Sequence, residues 1–131
     1  MSGESNLSVL LSSAKPEHNP GDYVFCSVKD LADIDMDKVC VMVREKEAVT
    51  LVLKKETADA WSLPYTSVFA WITLTIHSSL EAVGLTAAFS TALARENISC
   101  NVVAGFYHDH IFVGVDDLER ALDILSNLPL V

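Results

Sequence analysis

Short apolar runs separated by turn-forming residues dominate the first half of the chain. Three of these runs, at residues 23–28, 39–44 and 49–53, have the length and the β-branched or aromatic content of strands. A charged tip at residues 45–47 joins the last two runs as a hairpin, and residues 56–60 predict a short helix. The first half is therefore expected to be β-β-β with a helix stub.

The second half alternates between the period of a strand and the period of a helix. Strands are predicted at residues 69–77, 98–104 and 111–115, with a polar tip at 107–109 between the last two. An amphipathic helix is predicted between the first two strands, because apolar residues recur there at i, i+3, i+4, i+7 and i+8. This stripe consists of Leu85, Ala88, Phe89, Ala92 and Leu93. Asn97 follows it as a predicted C-cap.

A second amphipathic helix is predicted after the last strand. Its apolar stripe consists of Leu118, Ala121, Leu122 and Leu125. Asp116 and Glu119 have the spacing of a capping box, with Asp in place of Ser or Thr, and Asn127 predicts the end of the helix. The second half is therefore expected to be β-α-β-β-α.

Three segments between these elements lack a clear period. Residues 7–11 are apolar within a polar start and predict a short helix or a docking segment. Residues 18–21, with the sequence HNPG, predict a turn. Residues 63–67 predict a linker between lobes, because Pro64 interrupts both a helix and a central strand.

A weak internal repeat relates the two halves. Residues 50–56 echo residues 110–116, because each stretch is a strand that closes at an acidic residue before a helix. This echo favours two related α+β lobes that share a sheet over one irregular domain. The expected lobes are residues 1–63, with one helix degenerate, and residues 64–131.

Charge and composition exclude several classes of function. The chain has 131 residues, 50% of them hydrophobic, and a formal net charge of −9. This acidity argues against nucleic acids and anionic membranes as partners, because phosphate groups are bound by clustered Lys and Arg. No apolar run approaches the roughly 18 to 20 residues of a membrane span, and the N-terminal residues lack a signal-peptide pattern. Cys26, Cys40 and Cys100 occur without a C-x-x-C pair, which predicts reduced, inert thiols and a cytoplasmic location.

The triplet His108, Asp109 and His110 is the first candidate for chemistry. On a strand the two histidines would face the same side and offer two metal ligands, whereas zinc takes three or four. Neither His18 nor His77 has a metal-binding spacing to the triplet. We therefore expect a hairpin tip with Asp109 in the turn, and no metal or cofactor. A small metal-dependent enzyme that uses the triplet is an alternative, although no nucleophile, Walker or dinucleotide motif is present.

The segment from His77 to Thr86 is the second candidate. A strand ends there, and Gly84 precedes the apolar stripe of the long helix. The N–H groups at a helix start, together with the helix dipole, suit a carboxylate or a phosphate, and a glycine allows close approach. In the alternative interpretation, Ser79 caps a helix that begins earlier and Gly84 is an interior glycine.

The long helix and its flanking strands resemble a known family. In residues 78–113, SSLEAVGLTAAFSTALARENISCNVVAGFYHDHIFV, Gly84 opens the helix and a Leu-Ala-x-x-x-Ile-Ser segment, at residues 93–99, leads into the next strand. This order resembles the ACT-domain pattern. The stretch is similar to the small bacterial tandem-ACT proteins and to the CASTOR-type and aspartokinase regulatory ACT domains. Residues 45–59, EKEAVTLVLKKETAD, resemble the first lobe of the same family.

The resemblance implies an α+β fold of tandem ferredoxin-like βαββαβ lobes, with antiparallel sheets and helices on one face. It also implies a non-catalytic regulatory protein that binds a small molecule, expected to be an amino acid, at an ACT lobe interface. The expected ligand-binding residues are Ser79, Leu80, Glu81, Val83, Gly84, Leu85, Thr86, Asn101 and Val102. Backbone amides of residues 83–86 would bind the α-carboxylate, and Glu81 or Asn101 would meet the α-amine.

The resemblance also sets expectations about partners. The protein is expected to form a homodimer and to act through a protein partner. A ligand-free structural module, whose open sheet edges pair and which acts through a protein partner, is the alternative function.

Overall fold

The computed structural model describes residues 6–75 and 83–128. Its helices are α1 (Leu7–Ser13), α2 (Lys55–Ala60), α3 (Leu85–Arg95) and α4 (Leu118–Ser126). Its strands are β1 (Pro16–Val28), β2 (Val39–Arg44), β3 (Val49–Lys54), β4 (Phe69–Leu74), β5 (Asn101–Ala104) and β6 (Asp109–Gly114). Short 3-10 turns lie at Met36–Lys38 and Val115–Asp117. None of these helices combines the length and the apolar character that crossing a membrane requires.

The strands form one six-stranded sheet, in which hydrogen-bonded neighbours follow the order β2-β3-β1-β4-β6-β5. The pairs β1–β3, β2–β3 and β5–β6 are antiparallel. The α+β class expected from the sequence is therefore confirmed. Residues cluster into two compact units, which we call unit one (Met1–Pro20 with Ala70–Val131) and unit two (Gly21–Phe69). The lobe boundary between residues 63 and 64 stays a prediction.

Unit one is built on the β-α-β-β-α order that the second half of the sequence predicts. Its core holds one face of β4 and β6 against α3 and α4. The fully buried side chains of this core include Ile72, Leu74, Phe89, Leu93, Ile111, Val113, Ala121 and Leu125. The segment at residues 7–11, expected as a short helix or a docking segment, is the helix α1. Its Leu11 belongs to the same core.

Helix α3 ends in a Schellman motif that explains the residue Asn97. The C-cap is Glu96, and Asn97 follows it in the left-handed conformation with φ 60. The Asn97 N–H donates to Ala94 O at 2.9 Å and the Ile98 N–H donates to Leu93 O at 3.1 Å. The predicted C-cap is therefore one residue late. The residue type is nevertheless suited to its position, because Asn tolerates this backbone conformation better than most residues.

The predicted capping box of α4 is wrong. The chain leaves β6 through the 3-10 turn Val115–Asp117, so α4 begins at Leu118 with Asp117 at its N-cap and no side-chain capping bond. Asp117 Oδ1 instead lies 3.7 Å from the Arg120 guanidinium in a partly exposed ion pair. The apolar stripe itself is confirmed, since Ala121 and Leu125 are fully buried.

The predicted turn at residues 18–21 is also wrong, because this segment lies inside β1. The Asn19 side chain forms long-range bonds in place of a local turn. Its Nδ2 donates to Thr73 Oγ1 at 2.9 Å and to Trp71 O at 3.4 Å on β4. Gly21 lies within the strand at φ 103, a conformation that glycine adopts without steric cost.

Unit two has its own small core and a reduced helical content. The buried residues of this core are Val24, Cys26, Val49, Leu51, Leu53 and Ala58. The chain between β1 and β2 contains only the 3-10 turn Met36–Lys38, in which Asp35 Oδ1 accepts from the Asp37 N–H at 3.1 Å. This turn takes the place of the first helix of a ferredoxin-like lobe, as the degenerate helix expected from the sequence suggests.

The end of α3 provides a stability test. We expect Asn97→Ala to lower the free energy of unfolding by about 1 kcal/mol, because alanine is strained at positive φ. Asn97→Gly should cost nothing, since glycine is the preferred residue of this motif. Urea unfolding monitored by circular dichroism would measure both. Equal losses in the two variants would contradict the backbone explanation.

Candidate functional site

Helix α3 begins directly after a glycine in a special conformation. Gly84 is the N-cap of α3, with φ 95 and ψ −11, and its carbonyl accepts the first helical bond from the Ala88 N–H at 2.9 Å. Gly84 is therefore not an interior residue of this helix, and the alternative that placed it there is wrong. Few residues other than glycine adopt this left-handed backbone conformation at low cost.

The start of α3 differs chemically from the other helix starts. It has no side-chain cap and no acidic residue in its first turn. Helix α1 is capped by Asn6 Oδ1, which accepts from the Val9 N–H at 3.2 Å. The first turns of α2 and α4 contain Glu56 and Glu119. The first-turn N–H groups of α3 thus have no helical acceptor, and that turn contains no carboxylate to offset the positive end of the dipole.

The side chains at this helix start divide into exposed and buried ones. Val83 is 87% exposed and Thr86 is also exposed, whereas Leu85 is buried in the core of unit one. Sequence reasoning missed a second role for Gly84. A Cβ atom on Gly84 would lie 3.3 Å from Leu7 Cδ2, so the glycine also makes room for α1. No local sequence signal links these two positions, which are far apart in the chain.

Of the other predicted ligand-binding residues, the structure describes only the two on β5. Ser79, Leu80 and Glu81 lie outside the described residues. Asn101 and Val102 lie on β5, where Asn101 Nδ2 donates to Phe112 O at 3.3 Å. Val102 packs against the core of unit one. The described members of the predicted set therefore lie at the start of α3 and on β5.

The second sequence candidate, the triplet at residues 108–110, forms part of a hairpin. The tip is closed by the Gly105 N–H, which donates to His108 O at 2.9 Å. Asp109 already belongs to β6 and pairs with Ala104, so its predicted place in the turn is wrong by one position. Among the described residues, no three His, Cys, Asp or Glu side chains are placed to hold a metal ion.

The side chain of His110 is held by partners that the sequence alone does not reveal. Trp71 Nε1 donates to His110 Nδ1 at 3.1 Å, and Thr73 Oγ1 lies 3.0 Å from the same nitrogen. Burial lowers the pKa of His110, and the nearby His108 lowers it further, while Asp109 opposes the shift. Burial also raises the pKa of Asp109, against the influence of the two histidines.

The three cysteine thiols have the properties of unreactive groups. Cys26 is buried, and Cys40 and Cys100 are half-buried. Burial raises the pKa of Cys40 to about 11 and that of Cys100 to about 11, and it raises the pKa of Cys26 as well. The nucleophilic form of a thiol is the thiolate, so the structure favours the inert form at neutral pH.

A charged recess of about 270 Å³ lies within unit two. Its lining consists of Gly21, Asp22, Lys54, Lys55, Glu56 and Asp59. Asp59 accepts from Lys55 Nζ at 3.1 Å and from the Tyr65 hydroxyl at 2.7 Å. These bonds lower the pKa of Asp59, first through Tyr65 and then through Lys55. A ligand would have to compete with the solvent-exposed ion pair between Lys55 and Asp59, so the recess is a weaker candidate than the start of α3.

Comparison with known proteins identifies the family. The sequence profile of the ACT domain matches residues 2–70 and again residues 66–127. The chain belongs to the ACT-domain family. The two matches follow one another along the sequence, so the tandem arrangement inferred from the resemblance is confirmed. ACT domains are regulatory modules that bind ligands, and this coarse role applies to the present chain. No curated protein matches the sequence.

Solved structures support the same fold. Protein VC0802 from Vibrio cholerae, described as being of unknown function and a possible transport protein, is 48% identical, with 92% of this chain and 93% of that chain covered and a TM-score of 0.83. Protein Atu0741 from Agrobacterium tumefaciens is 19% identical, with 87% of each chain covered and a TM-score of 0.66. The ligand-free regulatory subunit of aspartate kinase from Thermus thermophilus is 10% identical, with 86% of this chain and 96% of that chain covered and a TM-score of 0.60.

The conformation of Gly84 can be tested by substitution. We expect Gly84→Ala to lower the free energy of unfolding by about 1 to 2 kcal/mol, because alanine is strained at this φ. The added methyl group would also press on Leu7. Gly114→Ala is the matched control, since Gly114 has φ −54 and a Cβ there would meet its nearest neighbour at an ordinary 3.4 Å. Equal losses in thermal unfolding experiments would contradict the special role of Gly84.

Proposed function

We propose that this ACT-family chain is a non-catalytic regulatory protein that binds a free amino acid at an ACT lobe interface. The observation that carries the proposal is the start of α3, which follows a left-handed glycine and has neither a side-chain cap nor a first-turn acid. Such a start is suited to a carboxylate, because backbone N–H groups and the helix dipole both favour a negative charge.

The proposed binding mode assigns one chemical group of the ligand to each part of the site. The α-carboxylate accepts hydrogen bonds from backbone amides of residues 83–86. The α-ammonium group meets Glu81 or the amide oxygen of Asn101, and Ser79, Leu80 and Val102 complete the site. A charge-assisted bond to the ammonium group would add affinity and select amino acids over simple carboxylic acids.

The proposal includes a regulatory output. Binding shifts the protein between states that differ in affinity for the amino acid, because a ligand can change a population only through such a difference. We propose that the protein is a cytoplasmic homodimer. Each chain would have its two lobes at residues 1–63 and 64–131. The output passes through a protein partner.

A pair of threonine substitutions on α3 tests the site. Thr86 in the first turn and Thr91 further along the helix are both exposed. Thr86→Glu should leave the free protein as stable as before or more stable by about 0.3 to 1 kcal/mol, because an acid suits a helix start. It should weaken amino-acid binding about tenfold or more, since carboxylates in a shared site repel by about 1 to 4 kcal/mol. Thr91→Glu should change neither property greatly.

Thermal unfolding against the twenty amino acids at millimolar concentration provides the measurement. A ligand at about 100 times its dissociation constant adds roughly 2.7 kcal/mol to the folded state, which is a rise of several degrees in Tm for a chain of this size. A selective rise in the wild type and Thr91→Glu, reduced in Thr86→Glu, would support the proposal. A flat panel in the wild type would refute amino-acid binding, and equal rises in both variants would move the site elsewhere.

Assembly without a ligand is the second candidate function, favoured by one exposed feature. Strand β5 ends the strand order, and the adjoining tip exposes Phe106 and Tyr107, each to 67%. In this case the mass measured by analytical ultracentrifugation should rise with protein concentration whether or not amino acids are present. The double substitution of Phe106 and Tyr107 to serine should abolish that rise. A constant mass in the wild type would exclude this function.

A further inference from the structure

A line of hydrogen-bonding side chains lies on the face of β4 and β6 opposite the unit-one core. Ile72 of β4 and Ile111 of β6 are fully buried in that core. Because successive side chains of a strand point to opposite faces, Trp71, Thr73 and His110 are directed to the other face. Thr73 is only 8% exposed there, and the other two are half-buried.

The donors and acceptors in this line are determined by their chemistry. An indole N–H can only donate, so the 3.1 Å contact from Trp71 Nε1 requires an unprotonated Nδ1 on His110. Asn19 Nδ2 donates to Thr73 Oγ1 at 2.9 Å, which leaves the Thr73 hydroxyl proton available for the same Nδ1 at 3.0 Å. His110 is therefore neutral, with its proton on Nε2.

Protonation of His110 would conflict with this arrangement. The imidazolium carries hydrogen on both ring nitrogens, so Nδ1 could no longer accept from Trp71. Thr73 could reverse its hydroxyl and accept from Nδ1, but the indole N–H of Trp71 would lose this acceptor at a half-buried position. Loss of a partner for such a donor is costly compared with the small net gain from a typical hydrogen bond.

The opposite edge of the ring lies beside Gly105 of the hairpin. A Cβ atom on Gly105 would lie 3.1 Å from His110 Nε2 and 2.9 Å from His108 O. The glycine therefore allows the imidazole to lie against the tip of the hairpin.

We infer that His110 is a proton-sensing site whose protonation releases Trp71 and so loosens the contact between β4 and β6. The ligand of this site is the proton itself, and its readout is the environment of one tryptophan. The inference does not depend on amino-acid binding at α3. It uses only groups within unit one.

The charged groups around His110 set the direction of its response. His108 and Asp109 are the titratable residues that act on it, and their influences are opposite in sign. Trp71 and Thr73 of β4 contact His110 directly, and Asn19 of β1 contacts Thr73. None of these three side chains titrates near neutral pH. The folded protein holds His110 neutral more strongly than the unfolded chain does, since its pKa is lowered.

The expected pH dependence follows from this difference. The contribution of neutral His110 to the free energy of unfolding is complete above the pKa of histidine in the unfolded chain, about 6.5. This contribution is lost as the pH falls through that value and then through the lower pKa of the folded protein. Asp109, whose pKa is raised, acts in the opposite direction, with a stabilising effect that is lost as the pH rises. A variant at position 110 is therefore needed to isolate the histidine.

Nuclear magnetic resonance of the full chain tests the inference directly. In the wild type at pH 8, ring nitrogen shifts of His110 should show an unprotonated Nδ1 and a protonated Nε2. The indole N–H peak of Trp71, distinguished from that of Trp61 by the variant Trp61→Phe, should shift between pH 8 and pH 5 with a midpoint below 6.5. His110→Asn retains an acceptor oxygen near the Nδ1 position and cannot titrate, so its Trp71 peak should stay constant.

A variant at position 108 provides the control for this experiment. His108→Asn should keep the titration of the Trp71 peak and move its midpoint upward, because His108 lowers the pKa of His110 and that influence is removed. A protonated Nδ1 at pH 8 in the wild type would overturn the inference without any variant. So would a Trp71 peak that stays fixed while His110 titrates, or one that shifts in the same way in His110→Asn.

Discussion

The packing of one face of β4 and β6 against α3 and α4 is the constraint on which most of unit one depends. Ile72, Leu74, Ile111 and Val113 supply the strand side of this core, and the helices supply Phe89, Leu93, Ala121 and Leu125. Each buried Ile, Leu, Val or Phe side chain contributes about 1.5 to 3 kcal/mol relative to exposure. Because strand residues alternate, the same burial directs Trp71, Thr73 and His110 to the opposite face. The core thereby determines where the hydrogen-bonded line forms.

The periodic elements could be predicted because the residues of this core recur at the regular spacing of a helix or a strand. The stripes of α3 and α4 and the short strands need only their own residues to be recognised, and their existence and order are confirmed. One error lies where a distant partner overrides a local preference, and another lies where a 3-10 turn shifts the start of a helix. Residues 18–21 have the composition of a turn, yet Asn19 bonds to Thr73 across the sheet and the segment stays extended. Asp116 has the spacing of a cap, but the 3-10 turn after β6 delays the start of α4.

The candidate site was only partly visible in the sequence. Residue types alone left Gly84 as either an N-cap or an interior glycine, and the ACT resemblance favoured the first. The backbone angle of Gly84 decides the question. Its packing against Leu7 could not be predicted, because nothing in the intervening sequence links the two residues. The same limit applies to His110, whose triplet suggested metal binding or a hairpin tip. Trp71 lies 39 residues earlier in the chain, so no local pattern indicates that partner.

Charge gives a further reason to favour an amino acid over a phosphate at the start of α3. The chain has 18 acidic and 9 basic residues, so its overall potential opposes the approach of a polyanion. The first turn of α3 contains no acid, and the positive dipole end acts only within about one turn of the helix. A short-range attraction inside a long-range repulsive field suits a ligand whose carboxylate is balanced by its own ammonium group. An amino-acid zwitterion has no net charge to be repelled at a distance, and it still presents a full negative charge to the backbone amides on contact.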